Sequence, residues 1–299
     1  MADFLVYLFD ENKALATIAS YRTAIGAIHS GFSDGSSVSS SVHLSRLLRS
    51  FFLSRPPKRT LVPSWSLPAV LRALAKPPFE PMAQASFHHL AVKTVFLVAI
   101  ASGQRRSTLH ALTLEPGHIR WESAGVRLIP RADFLAKNQS ASSKEAVQIF
   151  LPSLSSHSSV MQDKLWCPVR ALKWYVDRSR SLRTSPDLFI STVAPHSRVS
   201  LSTISRWLVE AISSAGSDAL ISATPRAHDT RGLSTSWALF NGVSVDQITQ
   251  AAYWANPNSF ITCYLRDVVS LEASFGLASL GASASARSNP MGSGRSTSR

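Results

Sequence analysis

The sequence predicts a mainly α fold with a small antiparallel β-sheet (α+β), and three observations carry that reading. Apolar residues recur at intervals of three and four through most of the chain, the mark of amphipathic helices. Two short runs rich in β-branched residues lie near the middle, the mark of strands. A basic, proline-containing break at 55–64 divides a short helical stretch from a long one. With 299 residues and 45% hydrophobic content, the chain suffices for one large domain or two unequal ones around a real core.

Taken in order, residues 4–9 and 14–30 are predicted helical, the second from Ala14, Thr17, Ile18, Tyr21, Ile25 and Ile28. Residues 33–37 are a loop by composition, and Val42 to Leu53 is a short basic helix carrying Arg46 and Arg49. Residues 1–54 therefore form a helical module. The linker 55–64 carries Lys58 and Arg59, and residues 65–280 form the larger domain. There, Ser66-Leu67-Pro68 supplies a cap and a first-turn proline, and Pro77-Pro78 closes that helix. His88 to Ser102 is a long apolar helix ending at Gly103. Val126 to Pro130 and Ala146 to Leu151 read as strands, with the polar stretch Lys137 to Lys144 as their hairpin loop. Helices follow over Val169–Arg178, after Pro168, and over Ser202–Ser213, where Ile204, Leu208 and Ile212 share a face. Three more are predicted at His228–Phe240, Val245–Tyr253 and Ser259–Val268, punctuated by Asn241-Gly242 and Asn256-Pro257. Residues 281–299, nearly all Gly, Ser, Ala and Arg, are predicted to be a disordered tail.

Charge narrows the partner. Lys and Arg outnumber Asp and Glu by 31 to 18, a formal net charge of +13 and a pI near 10.4. Such a surplus favours a polyanion, nucleic acid before an anionic membrane, with a basic protein lacking either partner as the bland alternative. Cys167 and Cys263 stand alone, with no CxxC or Cys/His cluster, so no zinc or other metal site is expected. Met-Ala-Asp-Phe does not begin a signal peptide, and the apolar run Thr94–Ala101 is far short of the roughly 20 residues of a membrane span. The expectation is a soluble, intracellular protein with no membrane partner.

The residues with chemical potential lie late in the chain. Breaking a phosphodiester without a metal needs guanidinium groups on the non-bridging oxygens, an in-line nucleophile and an acid for the leaving oxygen. His228 and Arg231, three apart, share one face of a helix, and the imidazole can take the nucleophile's proton. A second arginine can come from the turn Ser102-Gly103-Gln104-Arg105-Arg106-Ser107-Thr108-Leu109, a mobile acid from Lys137, and the nucleophile from Tyr264. Taken singly, each is more ordinarily a surface pair, a solvated lysine or a core aromatic.

Together, their order resembles the tyrosine recombinases of the phage integrase family. The segment 102–109 resembles that family's first arginine motif, a register that selects Arg105 over Arg106. Lys137 matches the hairpin lysine, and His228 and Arg231 match the His-x-x-Arg motif. Trp254 stands where members carry His or Trp, and Tyr264 follows at about the family distance. The resemblance spans roughly residues 60–275, and the N-terminal helices resemble a shortened form of the family's core-binding DNA clamp. Gly232 stands in place of the second His of His-x-x-Arg-His, Thr108 in place of an acidic residue, and the Trp254–Tyr264 interval is one residue longer than is usual in the family. In style, with Cys167-Pro168-Val169-Arg170-Ala171-Leu172, the chain looks closest to recombinases of eukaryotic DIRS-like retrotransposons.

The resemblance implies site-specific recombination or integration through a 3′-phosphotyrosyl intermediate, with no cofactor. Tyr264 is then the nucleophile, Arg105 and Arg231 the transition-state clamp, Lys137 the acid, His228 the proton acceptor and Trp254 a phosphate orienter. It further implies double-stranded DNA as partner, a dimer on each site, a tetramer in synapsis and, from the mobile-element likeness, a nuclear location. Arg46, Arg49, Lys58, Arg59 and Arg106 are candidates for DNA contact. Two alternatives stay open: a DNA-binding protein descended from a recombinase that no longer cuts, and a relaxing enzyme like a type IB topoisomerase.

Overall fold

Six buried side chains, Leu5, Leu8, Ile18, Val38, Leu44 and Phe51, draw the first helices together. These are α1 (Ala2–Asp10), α2 (Leu15–Gly26) and α3 (Val42–Ser54). The Ser41 hydroxyl caps α3 by accepting from the Leu44 N–H. Arg55 folds back onto the end of α1, donating to Phe9 O, Asn12 Oδ1 and Lys13 O, with its guanidinium 4.0 Å from the centre of the Phe9 ring. The second helix stops four residues before the predicted end at 30, because the chain turns at Gly26 to bring Val38 against it. Arg46 and Arg49 are exposed on α3.

The computed structural model describes residues 1–56, 61–137, 147–157, 160–219, 224–254 and 256–268. It divides into two units between Thr60 and Leu61. Lys58, Arg59, most of the predicted hairpin loop and the predicted tail lie outside the described residues.

The second unit is organised by its central helix. Its elements run α4 (Leu67–Leu74), α5 (Phe87–Ser102), α6 (Arg106–His110), β1 (Ile119–Trp121), β2 (Gly125–Leu128), β3 (Ile149–Pro152), α7 (Leu154–His157), α8 (Met161–Leu165) and α9 (Pro168–Ser179). Then come α10 (Leu201–Ser213), α11 (Asp229–Phe240), α12 (Val245–Ala251), α13 (Pro257–Ser259) and a π turn over Phe260–Tyr264. Helix α5 is buried on every side from Leu90 to Ala99, as a helix enclosed by others must be, and α9, α10, α11 and β3 pack around it. Ser86 caps its start, and Gly103, in the left-handed region at φ 59°, ends it.

The sheet is antiparallel in the order β1-β2-β3, with Val126 opposite Leu151 and Leu128 opposite Ile149. Those four side chains are buried toward the core. Strand β1 was not anticipated: Ile119-Arg120-Trp121 is too short and too exposed to show an alternating pattern. Two further expectations are corrected. Helix α11 begins at Asp229, so His228 is its cap residue. The predicted helix Ser259–Val268 is a single α turn followed by the π turn, because Leu265 N–H reaches back five residues to Phe260 O. Among the described residues, no helix is long and apolar enough to cross a membrane.

One polar cluster interrupts this core. Lys93, fully buried on α5, donates to the Glu80 carboxylate and to Leu74 O, and Arg170 of α9 donates to Glu80 as well. Burial alone raises the Glu80 pKa, but the hydrogen bonds from Arg170 and Lys93 outweigh it and hold the carboxyl below its usual range. Glu80→Ala strands the buried ammonium and should destabilise the protein by about 3–5 kcal/mol in urea unfolding at neutral pH. Because the folded pKa of Glu80 is the lower one, its contribution is present above the ordinary carboxylate range and is lost as pH falls through the folded value. The gap between wild type and variant should therefore narrow on acidification. An unchanged midpoint at neutral pH would show that the triad contributes nothing.

Candidate active site

The end of α5 and the start of α11 meet at one arginine. Arg231 is 1% exposed, with Nη1 donating to Gly103 O at 2.8 Å and Nη2 to Ala252 O at 2.6 Å. It thus ties the carbonyl beyond α5 to the carbonyl beyond α12, two groups that helix ends leave without intrahelical partners. Beside it, Gln104 donates to Ala251 O at 2.7 Å, a second tie between the same two helix ends.

Two aromatic rings lie over this guanidinium. Its central carbon is 4.4 Å from the centre of Trp254 and 5.5 Å from that of Tyr264. The two rings are 4.8 Å apart, and Trp254 also stacks on the buried Phe260 at 5.4 Å. Trp254 reaches this place through Tyr253, whose φ of 51° reverses the chain after α12. That left-handed conformation costs a non-glycine residue about 1–2 kcal/mol. The Tyr253 hydroxyl offsets it by accepting from Gln148 N–H and donating to Gln148 O, just ahead of β3. The His228 ring also lies against Tyr264, 5.3 Å away.

Arg231 and His228 line a cleft of about 490 Å³ together with Gln104, Arg105, Arg106, Ser205, Arg206, Val209, Arg226, Ala227 and Thr230. Five of these are arginines and none is acidic. The nearest acid in sequence, Asp229, accepts from Ser64 Oγ and Arg226 N–H and is not part of the lining. Arg105 is half-buried at the cap of α6, whereas Arg106 is exposed and donates to Ser205 Oγ of α10. Burial, then the charge of Arg105, pushes the Arg231 pKa down to about 9, with Tyr264 opposing; the group remains a cation at neutral pH. Burial and Arg231 likewise lower the His228 pKa, so its imidazole is neutral at neutral pH.

The arrangement is suited to an anion. Among the described residues, Arg231 Nε at the cleft and Trp254 Nε1 in the ring over Arg231 are buried donors with no hydrogen-bond partner, and none of the five cleft arginines is in an ion pair. A phosphate oxygen supplies both the charge and the acceptors.

Of the residues singled out from sequence, Arg231, His228 and Trp254 all lie against the Tyr264 ring, and Arg105 and Arg106 share the cleft with the first two. Lys137 is exposed at the last described residue before the undescribed part of the hairpin and is not in the lining. Arg206 and Arg226 were missed. Arg206 lies on the polar face of α10 and Arg226 two residues before His228, and neither carries a signal until α6, α10 and α11 converge.

No family model matches the sequence, and no curated protein is significantly similar to it. Solved structures do resemble it. XerH site-specific recombinase, in a post-cleavage complex with palindromic difH substrate, matches with a TM-score of 0.55 at 15% identity, over 95% of this chain and 70% of that one. The fold is that of a tyrosine recombinase. XerA recombinase (TM-score 0.49, 17% identity, 94% of this chain and 90% of that one) and lambda integrase residues 75–356, crystallised as a dimer on a COC′ core site (0.49, 16%, 89% and 78%), are further resemblances.

The environment of His228 gives a direct check. A titration of its imidazole by NMR should show a midpoint below the ordinary value of about 6.5. A midpoint at or above that value would contradict the burial and the arginine neighbours described here.

Proposed function

We propose that the chain is a site-specific DNA recombinase or integrase that cuts and rejoins DNA through a 3′-phosphotyrosyl intermediate. The observation that carries this reading is the Tyr264 phenol resting on Arg231 and beside His228, two residues lining a cleft of five arginines. The scissile phosphate sits against Arg231 and Arg105, which hold the charge that grows on its non-bridging oxygens. Tyr264 attacks phosphorus, its proton passing to the neutral His228. The bond to the 5′ oxygen breaks as that oxygen takes a proton from Lys137. Trp254 packs the phenol and offers its free indole N–H. Attack by a 5′-hydroxyl on the phosphotyrosine reverses these steps and reseals the strand.

The finer assignments follow the motif resemblance. The N-terminal unit acts as a DNA clamp, with Arg46, Arg49, Lys58 and Arg59 on the phosphate backbone and Arg106 beside the cleft. Two protomers occupy each site and four form the synapse. The biological role is integration of a mobile element of DIRS-like type in the nucleus.

The test is a nicked duplex library, randomised across its centre, on which an active enzyme becomes trapped. Wild-type protein should form denaturant-resistant adducts, and Tyr264→Phe should form none while binding the same DNA within about twofold. Adducts that persist in the variant would overturn the assignment of Tyr264. DNA affinity should also fall by about 10³-fold or more between 50 and 200 mM salt, as six or more phosphate contacts require. A flat salt dependence in a filter-binding assay would remove the backbone contacts from the account.

A further inference from the structure

One face of α11 is shaped to receive backbone rather than side chains. Gly232 and Ser236 stack four residues apart on it, both buried. A Cβ added at Gly232 would stand 2.8 Å from the Tyr264 carbonyl oxygen, closer than real Cβ atoms come. The demand there is for space, since the residue is in ordinary helical conformation. One turn on, Ser236 Oγ donates to Gly232 O at 2.7 Å and accepts from Arg266 N–H at 2.8 Å. The main chain of 264–266 thus lies in a groove with Gly232 as its floor and the Ser236 hydroxyl as its rim. Asp267 N–H, bonded to Leu61 O at 2.8 Å, continues the attachment.

We propose that Gly232 and Ser236 are positioning residues that dock the nucleophile's own backbone and so set how deeply the phenol sits over Arg231. The proposal rests on the reading of Tyr264 as nucleophile. The rings of His228 and Trp254 lie against that of Tyr264, whereas Gly232 and Ser236 meet the backbone on either side of it. Any side chain at 232 drives the Tyr264 carbonyl outward, and the ring moves with it. A misplacement near 1 Å in a reacting group costs about 10²-fold in rate. The same contact accounts for the glycine that follows Arg231: an imidazole has no room there while the Tyr264 segment is docked.

The variants are Gly232→Ala and Ser236→Ala in the full chain, compared with wild type in single-turnover trapping on the nicked library and in amide hydrogen exchange without DNA. Gly232→Ala should cut the cleavage rate about 100-fold and Ser236→Ala about tenfold, with DNA affinity unchanged within twofold. Exchange over residues 261–267 should rise at least tenfold in both variants, while α5 and α9 keep wild-type protection. A structural defect alone would raise exchange throughout. If Gly232→Ala does not fold, Ser236→Ala decides. Wild-type trapping is the control for the nucleophile reading: without adducts that reading fails, and the docking is judged on exchange alone. Wild-type cleavage rates in both variants, or unchanged exchange over 261–267, would overturn the proposal.

Discussion

The burial of Arg231 is the constraint around which the second unit is arranged. A guanidinium that is 1% exposed must find acceptors or lose its solvation uncompensated. It finds two main-chain carbonyls, Gly103 O and Ala252 O, and none of the ion pairs among the described residues involves it. Carbonyl dipoles stabilise the cation without neutralising it. Its remaining surface is covered by the faces of Trp254 and Tyr264, which favour a cation electrostatically. One side chain therefore fixes the end of α5, the end of α12 and the seating of two aromatic rings.

This solution leaves the site short of negative charge. Arg105, Arg106, Arg206 and Arg226 surround the same cleft, and their repulsion is carried by the fold rather than relieved within it. Contrast Lys93, equally buried but matched by Glu80, with Arg170 completing the cluster. Among the described residues, buried Lys93 thus has a carboxylate partner, whereas buried Arg231 has only carbonyls and ring faces. On the proposed function, a phosphate bound there would add stability as well, since it would supply that missing charge.

Much of this was legible in sequence, for local reasons. Ser66-Leu67-Pro68 and Gly103 are signals whose chemistry acts within one turn, and each falls where the structure begins or ends a helix. Arg105, His228, Arg231, Trp254 and Tyr264 could be singled out together because a motif resemblance carries spacing, and their proximity in the fold is described by the structure. The three-residue β1 was not, since its pairing with β2 comes from the partner strand. The helix predicted through Tyr264 failed for a similar reason: Arg266 N–H is taken by Ser236, thirty residues away, which no local propensity reveals. Arg206 and Arg226 look like ordinary surface charge until three helices meet. Gly232 looked like a departure from a motif, and only the approach of the Tyr264 carbonyl shows what a side chain there would meet.

The central claim is that the phenol over Arg231 is the group that joins to DNA. Mass-spectrometric mapping of a trapped protein–DNA adduct, with the DNA digested to a residual nucleotide, tests it most directly. The account predicts a single modified site, the hydroxyl of Tyr264, joined to a 3′-phosphate. An adduct on Tyr253, whose hydroxyl is committed to the Gln148 backbone, on the neighbouring Cys263, or through a 5′-phosphate would contradict it.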